Sequence, residues 1–331
     1  MKKIRLKKIL VIRFSSIGDI VLTTPIIRCL KEQHKDVEIH FLTKTTFEPV
    51  LRNNPYIDRI FTIKNKIDEV IADLKKESYF HIVDLHKNFR SKGVILKLKK
   101  PSSTFSKINV RKWLIVNFKI NLLPELHIVD RYFQAVEKLS VKNDGKGLDY
   151  FIPEREEVNL TTIPVSHHKG YIGWVIGGKH NTKIYPEENI VEVCKKIDYP
   201  VVLLGGKEDF DKGERIKKEA GKNIFNACGK FTINQSASIV KQAEKIITND
   251  TGLMHIAAAF RKKIISLWGN TIPEFGMYPY MPGDEDKSII LEVKGLSCRP
   301  CSKLGYKKCP KKHFDCMKKI EVDRLIGYIS Q

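Results

Sequence analysis

Asp19 places a carboxylate where catalytic groups of α/β proteins often lie. It follows an apolar run at residues 9–12, which predicts a buried strand, and closes the small-residue sequence Ser15-Ser16-Ile17-Gly18-Asp19, which predicts a strand-to-helix turn. Ligands of open α/β sheets bind just beyond the carboxyl ends of the strands. Asp19 could therefore take a proton from a substrate. The alternative is that Asp19 only caps the helix that begins near Ile20, because Asp is a favoured capping residue.

A second candidate site is formed by Asp250, Thr251 and Gly252. They follow residues 245–247, which predict a short strand, and they open a helix rich in small residues. Free backbone N–H groups and the helix dipole at such a position bind anions. Gly252 leaves room for a phosphate to approach the backbone. The alternative is an ordinary helix start without a ligand.

These two motifs, in this order and about 230 residues apart, resemble glycosyltransferase family 9, the ADP-heptose:lipopolysaccharide heptosyltransferases. The resemblance spans most of the chain. It also includes Val83-Asp84-Leu85-His86 with Arg90-Ser91, then Lys183-Ile184-Tyr185-Pro186, then Leu204-Gly205-Gly206-Lys207-Glu208. It implies an α/β fold of the GT-B type, with two Rossmann-like domains facing across a cleft. It also implies that the last helix, at residues 323–330, packs back on the first domain.

The pattern along the chain independently predicts two α/β domains. Strand and helix patterns alternate, which is typical of a mostly parallel sheet covered on both faces. Turn formers, charges and prolines cluster at residues 140–168, so we place the boundary there and assign residues 1–155 to the first domain and 156–331 to the second. Single helices are predicted, among others, at residues 20–33, 47–53 and 127–139.

The resemblance assigns roles to the site residues. Asp19 becomes the general base that deprotonates the acceptor hydroxyl. Lys183 is expected on the donor diphosphate, with Gly177 and Gly178 allowing close approach. The other predicted donor contacts are Glu208 on the ribose hydroxyls or as a helix cap, Asp250 on the sugar hydroxyls, the backbone of Thr251, Gly252 and Leu253 on phosphate, and His255, which is either packed or close to the phosphates.

The acceptor should bind the first domain. Arg13, Arg90 and Arg131 are the candidates, because a guanidinium binds two oxygens of a phosphate or carboxylate at once; each could equally be a surface arginine. No Asp-x-Asp pair stands where a metal-bound diphosphate would need it, since Asp284-Glu285-Asp286 lies in a loop flanked by Pro and Gly. We therefore expect catalysis without a metal and without a cofactor.

The formal net charge of +21 predicts an anionic partner, which could be a nucleic acid, an acidic membrane or a phosphorylated substrate. The lysines are spread out and show no compact arginine–aromatic pattern, so no nucleic acid is expected. No apolar stretch is long enough for a signal peptide or a membrane span. We expect a cytoplasmic protein that is peripheral on the inner face of the cytoplasmic membrane.

Four of the seven cysteines cluster as Cys298-x2-Cys301-x7-Cys309-x6-Cys316. The first spacing suits a structural zinc, and packed thiols in short loops are the alternative. A disulfide is less favoured in a reducing cytosol.

The sequence as a whole predicts an inverting glycosyltransferase. The resemblance implies ADP-heptose as the donor and a phosphorylated, Kdo-bearing lipid A intermediate of the lipopolysaccharide inner core as the acceptor. The alternatives are a GT-B enzyme for another nucleotide sugar, a basic nucleic-acid-binding protein, and a non-catalytic nucleotide-binding protein.

Overall fold

Two separate parallel sheets organise the chain, of which the computed structural model describes residues 7–331. The contacts divide it into two units. The first unit contains the described residues up to Lys107 together with Leu126–Phe151, and the second contains Ile108–Glu125 and Ile152–Gln331. The predicted pair of Rossmann-like α/β folds is confirmed. Residues 108–125, which the sequence assigns to the first domain, group with the second unit.

The first unit has five strands in the order β3-β2-β1-β4-β5, and all neighbouring strands run parallel. Its elements are β1 (Lys7–Ile12), α1 (Ile17–Val21), α2 (Thr24–Gln33), β2 (Val37–Lys44), β3 (Arg59–Ile63), α3 (Asp68–Lys76), β4 (His81–Asp84), α4 (Phe89–Leu98) and β5 (Ser102–Thr104). The chain then forms α5 (Asn109–Phe118) of the second unit and returns in α6 (Ile128–Phe133). Because the strand order turns at β1 and β4, the carboxyl ends of these two strands form the expected ligand crevice.

The helix predicted at residues 20–33 is two helices. The Thr23 and Thr24 hydroxyls donate to the carbonyls of Ile20 and Val21 at 2.7 and 2.8 Å, and Pro25 has no N–H to continue the ladder. Local side-chain bonds therefore end α1 early. The helix predicted at residues 47–53 is a 3₁₀ segment at Thr45–Val50, and the one at residues 127–139 is α6 followed by a 3₁₀ turn at Glu137–Leu139.

The second unit has six strands in the order β11-β10-β9-β6-β7-β8, again all parallel. Its further elements are β6 (Ile172–Val175), α7 (Glu187–Lys196), β7 (Val201–Leu204), α8 (Phe210–Ala220), β8 (Ile224–Asn226), α9 (Ile233–Gln242), β9 (Lys245–Asn249), α10 (Gly252–Ala259), β10 (Lys263–Trp268), β11 (Ser288–Glu292), α11 (Asp315–Lys318) and α12 (Val322–Ile329). The strand order turns between β6 and β9, which places the ligand crevice of this unit at their carboxyl ends.

The last helix, α12, contributes to the core of the second unit. Leu325 and Ile329 of α12 lie in the hydrophobic core of the second unit with Ile190 of α7. The helix therefore packs within its own unit, and the packing on the first domain that the resemblance implies stays a prediction. Within residues 7–331, none of the helices combines the length and the apolar character that crossing a bilayer requires.

Candidate active site

Asp19 lies at the switch point of the first sheet, as the third residue of α1. Its Oδ2 accepts hydrogen bonds from the backbone N–H of Ser16 at 3.1 Å and from the Ser16 hydroxyl at 2.8 Å, while its Oδ1 lies 2.6 Å from Arg13 Nη2. One carboxylate oxygen therefore caps the helix, and the other pairs with a cation. The side chain keeps a quarter of its surface accessible, so a substrate can reach it.

Arg13 is buried and committed to partners inside its own unit. Its Nε donates to the Ser15 carbonyl at 2.8 Å, and its Nη1 donates to the Leu85 carbonyl at 2.6 Å and to the Tyr132 hydroxyl at 3.0 Å. Burial works to lower the pKa of this guanidinium, but the Asp19 carboxylate raises it on balance. Arg13 thus ties the end of β1 to the end of β4 and orients Asp19. These contacts support a positioning role, and the acceptor contact predicted from the sequence stays a prediction.

Three cationic or titratable side chains lie near this ion pair. Arg90 stacks over the Phe14 ring at 5.5 Å, and His86 meets the same ring edge-on at 5.2 Å. Burial, together with the positive charge of Arg13 and Lys107, lowers the pKa of His86 to about 3. Burial and Arg13 likewise lower the pKa of Lys107. Arg13, Arg90 and Lys107 therefore place positive charge around the accessible carboxylate of Asp19, which suits an anionic acceptor.

Only part of this group could be found from the sequence. Arg90 remains a candidate acceptor residue, while Arg131 is buried in α6. Lys107 and Tyr132 carry no local pattern that singles them out, and His86 stands in a motif without an assigned role.

The buried carboxylate of Asp84 accepts bonds from the N–H groups of His86 and Lys87 and from the Ser91 hydroxyl, and so it shapes the turn after β4.

In the second unit, Lys183 and Asp250 form an ion pair at the switch point between β6 and β9. Lys183 ends a 3₁₀ turn at Asn181–Lys183, and Asp250 follows β9 directly. Asp250 Oδ2 also accepts a bond from the Thr271 hydroxyl at 3.1 Å. The structure therefore brings together the predicted residues Lys183 and Asp250, and adds Thr271 from the loop after β10.

Asn249, the last residue of β9, holds these loops in place. Its amide donates to the carbonyls of Val175 at 3.2 Å and Gly177 at 3.4 Å, and its oxygen accepts the N–H of Tyr185 at 3.1 Å. One buried side chain therefore fixes the turn after β6 and the segment that carries Lys183.

The glycines after β6 let side chains of this unit come close to the backbone, and the approach of a phosphate there stays a prediction. A Cβ on Gly177 would lie 2.1 Å from Asp209 Oδ2, and one on Gly178 would lie 3.6 Å from Thr251 Cγ2. The Gly178 turn thus adjoins the residue that precedes α10. In the described structure no side chain caps α10, so the N–H groups of its first turn, including those of Gly252 and Leu253, face no competing side-chain acceptor.

Glu208 and His255 differ in accessibility. Glu208 is exposed after β7, and its carboxylate lies over Gly206, where an added Cβ would come within 2.4 Å. The capping bond that was the alternative for Glu208 is made by its neighbour: Asp209 Oδ2 accepts the N–H of Gly206 at 3.0 Å. Glu208 is therefore available for a ligand. His255 is buried in α10, which fits a packed histidine.

Asn270, in the loop after β10, is a residue that sequence reasoning missed. It is 1% exposed, and neither atom of its side-chain amide has a hydrogen-bond partner among the described residues. Its backbone carbonyl accepts the N–H of Cys301, and Thr271 beside it bonds Asp250. Buried amides without partners are rare in proteins, and this one lies next to the Lys183–Asp250 pair.

The cysteine-rich segment holds free thiols. Cys298 Sγ lies 3.8 Å from His313 Nε2, and burial raises the pKa of Cys301 and raises that of Cys316 to about 12. No three ligand atoms of this segment converge within 4.8 Å in the described chain. The set that does converge is Glu38, His40 and Glu77. The zinc interpretation stays a prediction.

That converging set has internal partners of its own. Lys8 pairs with Glu77 at 2.5 Å and with Glu38 at 3.6 Å, and Arg59 pairs with Glu77. These cations balance the charge of the carboxylates, so the cluster forms an ion-pair network.

The chain thus carries two parallel Rossmann-like sheets, with a carboxylate at one switch point and a lysine beside an open helix start at the other. These are the groups that a glycosyltransferase using a nucleotide-activated sugar requires. The chain belongs to glycosyltransferase family 9 (heptosyltransferase), whose model matches residues 67–309.

Relatives agree with this family, and solved structures agree with its fold. Lipopolysaccharide heptosyltransferase 1 of Campylobacter coli is 25% identical over 288 residues, which is 80% of this chain and 84% of the relative. The glycosyltransferase family 9 structure from Veillonella parvula superposes with a TM-score of 0.77 at 22% identity, covering 99% of this chain and 97% of that one. E. coli ADP-heptose lps heptosyltransferase II gives 0.73 at 21% identity, covering 98% and 97%. The predicted family and GT-B fold are confirmed.

Proposed function

We propose that this protein is an inverting heptosyltransferase that moves heptose from ADP-heptose to a phosphorylated lipid A–Kdo acceptor of the lipopolysaccharide inner core. The proposal rests on family membership and on the contrast between the two switch points. The first presents a carboxylate surrounded by cations, and the second presents a lysine and an uncapped helix start. The charge at the first switch point suits an anionic acceptor, and the groups at the second switch point suit a diphosphate.

In the proposed reaction Asp19 is the general base. It takes the proton of the acceptor hydroxyl, the hydroxyl oxygen bonds to the anomeric carbon, and the bond from that carbon to the diphosphate oxygen breaks. The attack comes from the face opposite the leaving group, so the anomer inverts. Arg13 and Ser16 hold the carboxylate in place through contacts of 2.6 to 3.1 Å.

The leaving ADP carries the negative charge that develops during this step. Lys183 and the first N–H groups of α10 stabilise this charge. When the donor binds, Lys183 must break its ion pair with Asp250 and bind the diphosphate instead. Asp250 is then free to accept bonds from sugar hydroxyls. Because these groups supply the positive charge, we propose catalysis without a metal ion.

Glu208 and Asn270 complete the proposed donor site. Glu208 would accept the ribose hydroxyls, as acidic residues after a strand do in dinucleotide-binding folds. The amide of Asn270, which has no partner in the part of the chain that the structure describes, would bond the donor beside Asp250. We place the work of the enzyme at the inner face of the cytoplasmic membrane, where a lipid-linked acceptor would be presented to this strongly basic chain.

A donor screen tests the proposal. Purified protein is incubated with a lipid A–Kdo acceptor and a panel of nucleotide sugars, with and without a chelator. ADP-heptose should be consumed at equal rates in both conditions. Consumption of a different nucleotide sugar would show that the donor is not ADP-heptose. Loss of activity with chelator would refute metal independence. ADP binding without any transfer would indicate a non-catalytic protein.

A further inference from the structure

Large exposed apolar side chains are concentrated in one short stretch of the second unit, residues 109–122, here called the α5 segment. Isolated exposed apolar residues are ordinary, but a concentration of them marks an interaction surface. The exposed side chains and their accessible fractions are Val110 (71%), Trp113 (48%), Phe118 (59%), Ile120 (50%) and Leu122 (55%).

The α5 segment is attached to its unit along one side only. Ile115 is its buried residue, and it packs with Ile272 and Phe275. The Trp113 and Phe118 rings pack on each other at 5.2 Å and remain outside this small core. The exposed apolar groups are therefore a feature of the outer side of a docked helix.

A basic loop adjoins the end of α5. Lys119 Nζ donates to the carbonyls of Pro300 at 2.8 Å and Cys298 at 3.3 Å, which joins the segment to the loop at residues 298–312. We call this loop the lysine loop. It exposes Leu304 and Tyr306 and five lysines without a carboxylate partner in the described chain, namely Lys303, Lys307, Lys308, Lys311 and Lys312.

Both segments lack acidic residues. The chain contains 38 Asp and Glu, yet none falls within residues 108–124 or 293–314. Exposed apolar side chains on a segment that is hydrogen-bonded to a lysine-rich loop match an anionic bilayer, where rings enter the interface and ammonium groups meet the lipid phosphates. A symmetric contact between two copies would instead bring two lysine loops together, which their repulsion opposes.

We propose that the α5 segment and the lysine loop form a docking surface for an anionic lipid bilayer. This inference extends the proposed function, because it assigns the membrane contact of the enzyme to named residues. Trp113 and Phe118 insert into the interface, and Lys307, Lys308 and Lys311 bind the headgroup phosphates. The docking contact involves no residue of the donor or acceptor sites.

Trp113 provides a direct readout. The other two tryptophans, Trp174 and Trp268, are fully buried, so a lipid-dependent change in emission reports on Trp113. With phosphatidylglycerol vesicles that contain no acceptor, the emission should shift to the blue and be quenched by brominated lipids. Pure phosphatidylcholine vesicles should cause little change, and high salt should reverse the binding.

Matched variants separate this surface from general charge. K307E/K308E/K311E should weaken binding to anionic vesicles by at least about tenfold, since each lysine near the surface contributes to the attraction. K217E/K218E/K222E makes the same charge change on exposed lysines at the end of α8 and beyond, and should have a much smaller effect. W113S/F118S should also weaken binding about tenfold, whereas V165S alters another exposed apolar residue and should not.

Several results would refute the proposed docking surface. Unchanged Trp113 emission with anionic vesicles would do so, as would equal losses in both lysine triples. So would a dimer in sedimentation velocity that W113S/F118S dissociates without any effect on vesicle binding. Transfer to a delipidated, water-soluble acceptor is measured in parallel and should be normal in all docking variants. Vesicle binding without transfer would refute the proposed function alone, and transfer without vesicle binding would refute the surface alone.

Discussion

Arg13 Nη2 lies 2.6 Å from Asp19 Oδ1, and the same guanidinium bonds the Leu85 carbonyl after β4. A buried cation therefore couples the proposed base to both strands of the switch point. Asp19 can cap the helix and still keep a fixed orientation, because its Oδ2 accepts the N–H of Ser16 while its Oδ1 pairs with Arg13.

The first prediction concerns Asp19 itself. Asp19→Asn keeps the shape and removes the base, so kcat should fall about 10²- to 10⁴-fold, the usual contribution of a general base. ADP binding, measured by calorimetry, should not change, because the donor residues lie in the second unit.

Asp84→Asn is the matched comparison. Asp84 accepts three internal bonds, so this variant should lose about 1–3 kcal/mol of unfolding free energy. Near-normal turnover in Asp19→Asn would rule out Asp19 as the base.

The second prediction tests the positioning role of Arg13. A lysine keeps the charge but cannot make four directed bonds, so Arg13→Lys should lower kcat about tenfold with KM for the acceptor nearly unchanged. Steady-state kinetics with varied acceptor separates the two parameters. A raised KM with normal kcat would instead support the acceptor contact that the sequence predicts.

The third prediction follows from His86, whose folded pKa of about 3 lies below its ordinary value of 6.5. The unfolded chain therefore binds a proton at this residue below pH 6.5 while the folded protein does not, so stability falls as the pH falls through that range. At pH 5.5 the loss relative to high pH should be about 1 kcal/mol.

His86→Gln removes this titration. The difference in unfolding free energy between pH 7.5 and pH 5.5 should therefore be about 1 kcal/mol smaller in the variant. Other buried histidines, such as His81 and His167, titrate equally in both proteins and cancel. An identical pH dependence would mean that His86 is charged in the folded protein.

The sequence predicts the sheets and the two turns that carry Asp19 and Asp250, because these depend on local patterns. Apolar runs define β1 and β9, and small residues mark the turns that carry Asp19 and Asp250. It does not reveal Lys107, Tyr132 or Asn270, since their roles arise from contacts between distant segments. It also merges α1 with α2, because the hydroxyl bonds of Thr23 and Thr24 outweigh the helical period.

The fourth prediction separates two neighbouring acids. Glu208→Gln should weaken ADP binding about tenfold in calorimetry while the melting temperature stays normal, because the side chain is exposed and proposed to bind ribose. Asp209→Asn should instead lower the unfolding free energy by about 1–3 kcal/mol, since Asp209 caps the turn at Gly206 and bonds Lys212. Equal ADP affinity in Glu208→Gln and the parent protein would remove Glu208 from the site.

The fifth prediction uses the buried amide of Asn270. Because both of its polar atoms lack partners within residues 7–331, Asn270→Leu should raise the stability of the ligand-free protein by about 1 kcal/mol, as relief of an unsatisfied buried group does. If the amide bonds the donor, the same variant should bind ADP-heptose at least about tenfold more weakly. Thermal melts with and without donor measure both effects, and Asn270→Ala serves as a second variant in which no added bulk can block the site. Normal donor affinity in both variants would show that Asn270 does not touch the sugar nucleotide.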